Sequence, residues 1–205
     1  MIGYYNYTVI LTYLSLISAL FGTHLAFNGE YCLALICLLL CGAFDSFDGM
    51  VARTKKGRTE AEKKFGIQID SLVDMFSFGI FPAIIGYTMG LRSWIWAIIF
   101  GVYTICAVSR LGYFNVVEEM RQQETTEKRK YYQGLPVTSA SLIFPTVYLL
   151  NYFLEPSVVA GVYGLIMAVV AIAFVIDFKV IKPGLKGIMG LAFVGLLIFI
   201  GLMCL

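Results

Sequence analysis

LLLCGAFDSFDGMVAR (residues 38–53) and FGIQIDSLVDMFSFG (residues 65–79) each place two aspartates inside an otherwise apolar run. Runs of this kind belong in lipid. The surrounding apolar stretches reach about 17–25 residues, the length that crosses the hydrocarbon core of a bilayer as a helix. The whole chain agrees: of 205 residues, 60% are hydrophobic and 14% charged, and its mean hydropathy is +0.84. A soluble domain carries nearer a quarter charged residues, so a water-soluble core and a disordered chain are both excluded. The runs are continuous and do not alternate, which argues against a β-barrel. The sequence therefore predicts an all-α polytopic membrane helical bundle. Residues 1–205 form one integral-membrane domain with spans near 8–27, 31–53, 65–90, 93–117, 137–153, 157–177 and 187–204.

Charge placement orients the bundle. Net charge is only +2, too little to argue for a nucleic-acid partner. Yet 14 of the 15 basic residues fall at three joints that share one face when seven spans alternate; Arg92 is the exception. By the positive-inside rule that face is cytoplasmic, and with it the N-terminus. These basic joints also suit anionic headgroups. The first run lacks a basic region before it and a small-residue cleavage site, so it reads as a retained helix. Cys32, Cys37, Cys41, Cys106 and Cys204 all lie in apolar runs without CxxC spacing, which suggests packing thiols and not a disulfide framework or zinc site. His24, the single histidine, has no acid near it and reads as a packed residue.

Asp45, Asp48, Asp70 and Asp74 are the exceptions to this pattern, since an acid within a membrane helix is expensive. Asp45 and Asp48 are spaced i, i+3 and share a helix face, which Gly49 and Ala52 continue. Asp70 and Asp74 are spaced i, i+4 on the next span, with Gly66 one turn earlier. The two spans run antiparallel, and both put their acids toward the cytoplasmic end. If the faces meet, four carboxylates converge, and like charges at that range stay ionised only around a cation. Oxygen ligands select hard ions such as Mg²⁺ or Mn²⁺. Two ions and a phosphate substrate would fit such a quartet. The competing reading pairs the acids with Arg53, Lys55 and Lys64. The small residues on the same faces would let a flat group such as a nucleotide approach the backbone.

The run Asp45-x2-Asp48-Gly49-x2-Ala52-Arg53, then Gly66-x3-Asp70-x3-Asp74, resembles the signature of the CDP-alcohol phosphatidyltransferase family. Residues 54–65 hold twelve positions where the family has about eight, a Lys- and Glu-rich lengthening of the loop. Further stretches resemble those of bacterial and archaeal phosphatidylserine synthases: Ser77-Phe78-Gly79 with Pro82, Arg110-Leu111-Gly112-Tyr113-Phe114-Asn115, Tyr132-Gln133-Gly134-Leu135-Pro136, Thr12-Tyr13-Leu14-Ser15, and Pro183 to Lys186. Gly112 and Tyr113 stand where that group has Ala and a second Arg.

The resemblance implies a six-helix core with one extra C-terminal span, in a prokaryotic cell membrane. It implies transfer of a phosphatidyl group from CDP-diacylglycerol to the hydroxyl of L-serine, giving phosphatidylserine and CMP. Two Mg²⁺ or Mn²⁺ ions would sit on Asp45, Asp48, Asp70 and Asp74. Either Asp74 or a metal would activate the acceptor. Thr12, Ser15, Gly49, Ala52, Arg53 and Gly66 would bind the nucleotide. Arg110, Gly134, Leu135, Pro136 and Lys186 would meet the lipid phosphate or the serine carboxylate, and a homodimer is expected. Two other functions stay open: the same transfer to inositol, inositol phosphate or glycerol phosphate, and a divalent-ion transporter built on the same acids.

Overall fold

A computed structural model describes residues 3–52, 54–124, 131–181 and 184–205. Seven helical segments follow the predicted order. They are α1 (Ile10–Phe27), entered through a 3₁₀ turn, and α2 (Tyr31–Ala52), then a long bent helix, then α5 (Trp94–Glu124). A short broken segment around α6 (Ala140–Tyr148) follows, then α7 (Pro156–Val175) and α8 (Leu185–Met203). Among the described residues, five helices are long and apolar enough to cross a membrane, and the apolar helix Gly187–Met203 is shorter. Side chains such as Ile17, Phe21, Leu165, Val169 and Phe193 point outward, as a lipid-facing surface requires.

The bent helix consists of α3 (Glu60–Asp74), wide π-helical turns over Met75–Ile80, and α4 (Phe81–Thr88). It begins ahead of the predicted span at 65. Thr59 caps it, and the Thr59 and Glu62 side chains satisfy each other's backbone N–H groups, a capping box that nucleates a helix in polar sequence. The π-helical turns follow from Pro82, which has no N–H to give to the carbonyl four residues back. That carbonyl, on Phe78, instead accepts from the Tyr103 hydroxyl at 2.5 Å, and Gly79 O accepts from Thr104 Oγ1 at 3.0 Å. Tyr163 donates to Pro82 O at 3.0 Å. Side chains of α5 and α7 thus repair the backbone that the proline opens.

The 118–134 joint is not a loop throughout. α5 continues to Glu124, through residues of good helix propensity and an Arg121–Glu118 ion pair at 2.6 Å. A two-stranded antiparallel ribbon, β1 (Tyr131–Gln133) with β2 (Lys179–Ile181), joins two of the predicted basic joints. The hydropathy pattern does not announce this ribbon. His24 is exposed at the end of α1 and bonds the Asn28 amide at 3.0 Å, so the expected packed position is wrong.

Packing is tightest where residues are small. α1 and α2 form a hairpin, α5 packs on α7, and α2 also touches α6 and α8. A Cβ on Gly22 would lie 2.4 Å from Phe81, and one on Gly42 would lie 2.1 Å from Ser141 Oγ. Such close approaches are how membrane helices gain contact in the absence of a water-driven force. The aromatic centre is Tyr103 with Phe144 and Phe174, at centroid separations of 5.8 and 5.5 Å. One end of the bundle gathers the N-terminal segment, the 54–59 loop with the start of α3, the far end of α5 and the ribbon. Tyr7 meets Thr54 at 3.1 Å, Asn6 donates to Glu62 at 3.2 Å, and Lys64 pairs Glu119 at 3.7 Å.

Candidate active site

The four aspartates lie at this same end, on α2 and α3. One carboxylate oxygen from each of Asp45, Asp70 and Asp74 lies within 4.8 Å of the other two. Asp74 is buried, and Asp45, Asp48 and Asp70 are half-buried. Asp48 sits at the edge of the group, within hydrogen-bonding reach of Asp70, and it accepts from Thr12 Oγ1 at 3.2 Å. The competing idea that the acids neutralise nearby lysines fails for both lysines concerned. Lys55 pairs with Glu62 at 2.7 Å, and Lys64 pairs with Glu119. Arg53 lies outside the described residues.

This arrangement fits a cation. Carboxylates this close repel in a low-dielectric setting. Asp70 Oδ1 is buried with no hydrogen-bond partner, which is costly unless something accepts its lone pairs. A donor set made only of oxygens is the chemistry of hard divalent ions. The residues present therefore fit Mg²⁺ or Mn²⁺, with Asp45, Asp70 and Asp74 as the compact ligand set and Asp48 adjoining it.

The walls come from α1, the π-helical turns and α5. Thr12 and Ser15 are both buried on α1. Ser15 Oγ faces Ser77 Oγ at 3.5 Å, one turn below the acids. Asn115 donates to Ser71 Oγ at 2.7 Å, beside Asp70. The link between Asn115 and Ser71 is invisible to periodicity, because the two residues are 44 positions apart. Gly49 is exposed and a Cβ there would meet nothing within 4 Å, whereas a Cβ on Gly66 would lie 2.8 Å from Arg58 Nη2. Ala52 and Arg58, with Lys55, Gly57 and Lys63, line a cavity of about 380 Å³ next to these positions.

Arg110 is buried on α5 and donates to two backbone carbonyls, Leu135 O at 3.2 Å and Gly134 O at 3.5 Å. The Gly134-Leu135-Pro136 turn is in turn tied to the end of α7. Gly134 N–H donates to Phe178 O at 2.7 Å, and Leu135 N–H donates to Ala173 O at 3.1 Å. Gly134 has φ +70°, and a Cβ there would stand 2.9 Å from Ile176 O, so only glycine fits. Arg110 also borders a second cavity, of about 340 Å³, together with Tyr113, Gln133 and Asp177. Lys186 is in the first turn of α8, and its side chain lies outside the described residues.

Comparison with known proteins fits this geometry. The family model described as CDP-alcohol phosphatidyltransferase matches residues 5–179. The chain is 34% identical over 113 residues to the CDP-diacylglycerol–serine O-phosphatidyltransferase of Saccharomyces cerevisiae, covering 54% of this chain and 40% of that protein. It is 36% identical over 134 residues to the archaetidylserine synthase of Methanothermobacter thermautotrophicus, covering 65% of this chain and 53% of that one. It is 31% identical over 125 residues to the CDP-diacylglycerol–serine O-phosphatidyltransferase of Methanocaldococcus jannaschii, covering 60% and 55%. The chain spans about half the length of the curated relatives it matches. The matched region holds all four aspartates, both helices that carry them and the turn that Arg110 supports, and the chain belongs to the CDP-alcohol phosphatidyltransferase family.

Proposed function

We propose that this chain transfers the phosphatidyl group of CDP-diacylglycerol to the hydroxyl of L-serine, releasing CMP. The observation that carries the reading is the acid cluster, with its orphaned Asp70 oxygen, inside a chain that matches the family over 5–179. Asp45, Asp48, Asp70 and Asp74 would hold two ions, Mg²⁺ or Mn²⁺, that neutralise the diphosphate and stabilise CMP as it leaves.

The remaining work falls to the chain. Thr12 orients Asp48, and Ser15, Gly49, Ala52, Arg53 and Gly66 border the nucleotide. The serine oxygen attacks the phosphorus that bears diacylglycerol, and the bond from that phosphorus to the bridging oxygen of CMP breaks. The serine proton passes to a carboxylate oxygen of Asp74, the buried acid of the set. Arg110 holds the Gly134-Leu135-Pro136 turn and offers its charge to the serine carboxylate or the lipid phosphate, with Lys186 nearby in sequence to the ribbon. The basic joints support a cytoplasmic position for this end of the bundle. The family resemblance supports a single catalytic domain, a prokaryotic cell membrane and a homodimer.

The names of the relatives support serine as acceptor. Purified protein supplied with CDP-diacylglycerol and Mn²⁺ or Mg²⁺ should release CMP with serine and not with inositol or glycerol 3-phosphate. Release with one of the latter alone would reassign the acceptor. Divalent-ion flux into sealed vesicles without CMP chemistry would favour a transporter.

A further inference from the structure

The lengthened joint over residues 54–65 lays one cation on two of the small residues of the signature, Ala52 and Gly66. Arg58 Nη1 donates to Ala52 O at 3.4 Å, and Nη2 donates to Glu62 O at 3.2 Å. Nη2 also stands 2.8 Å from where a Cβ on Gly66 would be. The Nε of this guanidinium is buried with no hydrogen-bond partner. Neighbouring cations are already committed: Lys55 to Glu62 and Lys63 to Glu60, each at 2.7 Å. Arg58 forms no ion pair with an acid among the described residues. It lines the cavity of about 380 Å³ whose described wall contains Lys55 and Lys63 but no acid.

A guanidinium with a free Nε edge is built for side-on pairing with a phosphate, where Nε and a terminal nitrogen each meet one oxygen. Its position is the useful one. Ala52 lies one turn beyond Asp48, and Gly66 and Glu62 lie one and two turns before Asp70, so Arg58 stands roughly 6–12 Å from the acids along the helix axes. A nucleotide whose diphosphate rests on the acids would have its α-phosphate within reach.

We propose that Arg58, supplied by the long loop, is a nucleotide-phosphate contact of this site. The proposal rests on the phosphatidyl-transfer reading and adds to it a residue outside the signature. The loop is held for the task. Glu62 receives Lys55 Nζ, the Asn6 amide and the Thr59 N–H on its carboxylate, and Thr59 caps α3. The guanidinium is therefore carried on an anchored segment.

The test is titration of CDP into purified protein with Mn²⁺ present, for wild type, Arg58→Ala, Arg58→Gln and Arg58→Lys, each with its melting temperature. Kinetics with CDP-diacylglycerol and serine complete the set. Arg58→Ala and Arg58→Gln should weaken CDP binding about tenfold or more and raise KM for CDP-diacylglycerol by a similar factor. The KM for serine should stay put, and Arg58→Lys should recover part of the loss. If every folded variant binds CDP as wild type does, even with a lowered melting temperature, Arg58 serves only to tie Ala52 to Glu62 and the proposal is overturned. Should Arg58→Ala fail to fold, the Gln and Lys variants decide by the same criterion. If wild-type protein itself does not bind CDP with Mn²⁺, the phosphatidyl-transfer reading fails, which is a different result from loss of the Arg58 contact.

Discussion

Asp70 concentrates the chemistry of this site in one side chain. It shares a cluster with Asp45 and Asp74, adjoins Asp48, and leaves Oδ1 buried without a partner. Asp70→Asn keeps the shape and removes the charge. The expected outcome is a fall in CMP release of about 10²-fold or more, in line with the loss of one preorganised electrostatic group, with the fold retained. Full turnover in that variant would remove the metal assignment. The identity of the acids was legible in the sequence, because i, i+3 and i, i+4 spacing puts side chains on one helix face wherever the helix docks. Their partners were not. Thr12 reaches Asp48 across 36 positions, and no local pattern encodes that distance. Arg110 shows the same limit: its residue type suggested an anion, yet two of its contacts are the carbonyls of Gly134 and Leu135.

At the scale of elements, the bent helix from Glu60 to Thr88 does the positioning. Its π-helical turns lie immediately after Asp74 and exist because Pro82 deletes one backbone donor. Tyr103 takes up the Phe78 carbonyl at 2.5 Å. Tyr103→Phe leaves that carbonyl unpaired in an apolar interior, which should cost about 1–3 kcal/mol and lower the melting temperature. Because the same bond links α5 to the acid-bearing helix, turnover should fall as well. A variant with unchanged melting and unchanged turnover would show that the π-helical turns support themselves. The sequence located this helix but placed its start five residues late. Hydropathy marks where lipid begins, while the capping box at Thr59 and Glu62 marks where the helix begins, and here the two differ.

The whole bundle brings like charges together at one end, so the folded state should depend on what binds there. Without a cation, the four aspartates repel one another and oppose the docking of α2 against α3. Adding Mn²⁺ or Mg²⁺ to metal-stripped protein should raise the melting temperature, by about 5 °C or more once the ion exceeds its dissociation constant a hundredfold, and a chelator should reverse it. An Asp70→Asn protein should respond less. Equal melting with and without divalent ions would argue that the acids hold protons and not metals. The sequence alone determined the all-helical membrane class, the order of the helices, the face that each aspartate pair occupies and the family signature. The first three follow from hydropathy and helical repeat, which are properties of neighbouring residues, and the last is carried by the resemblance of the quoted residues to the family. Tertiary structure alone decided that Asp48 lies beside Thr12, that Arg110 props the Gly134 turn, that two joints pair as a ribbon, and that Arg58 covers Gly66. Those contacts depend on where separate segments dock, and a side chain's partner is set by the geometry of docking and not by its own position along the chain.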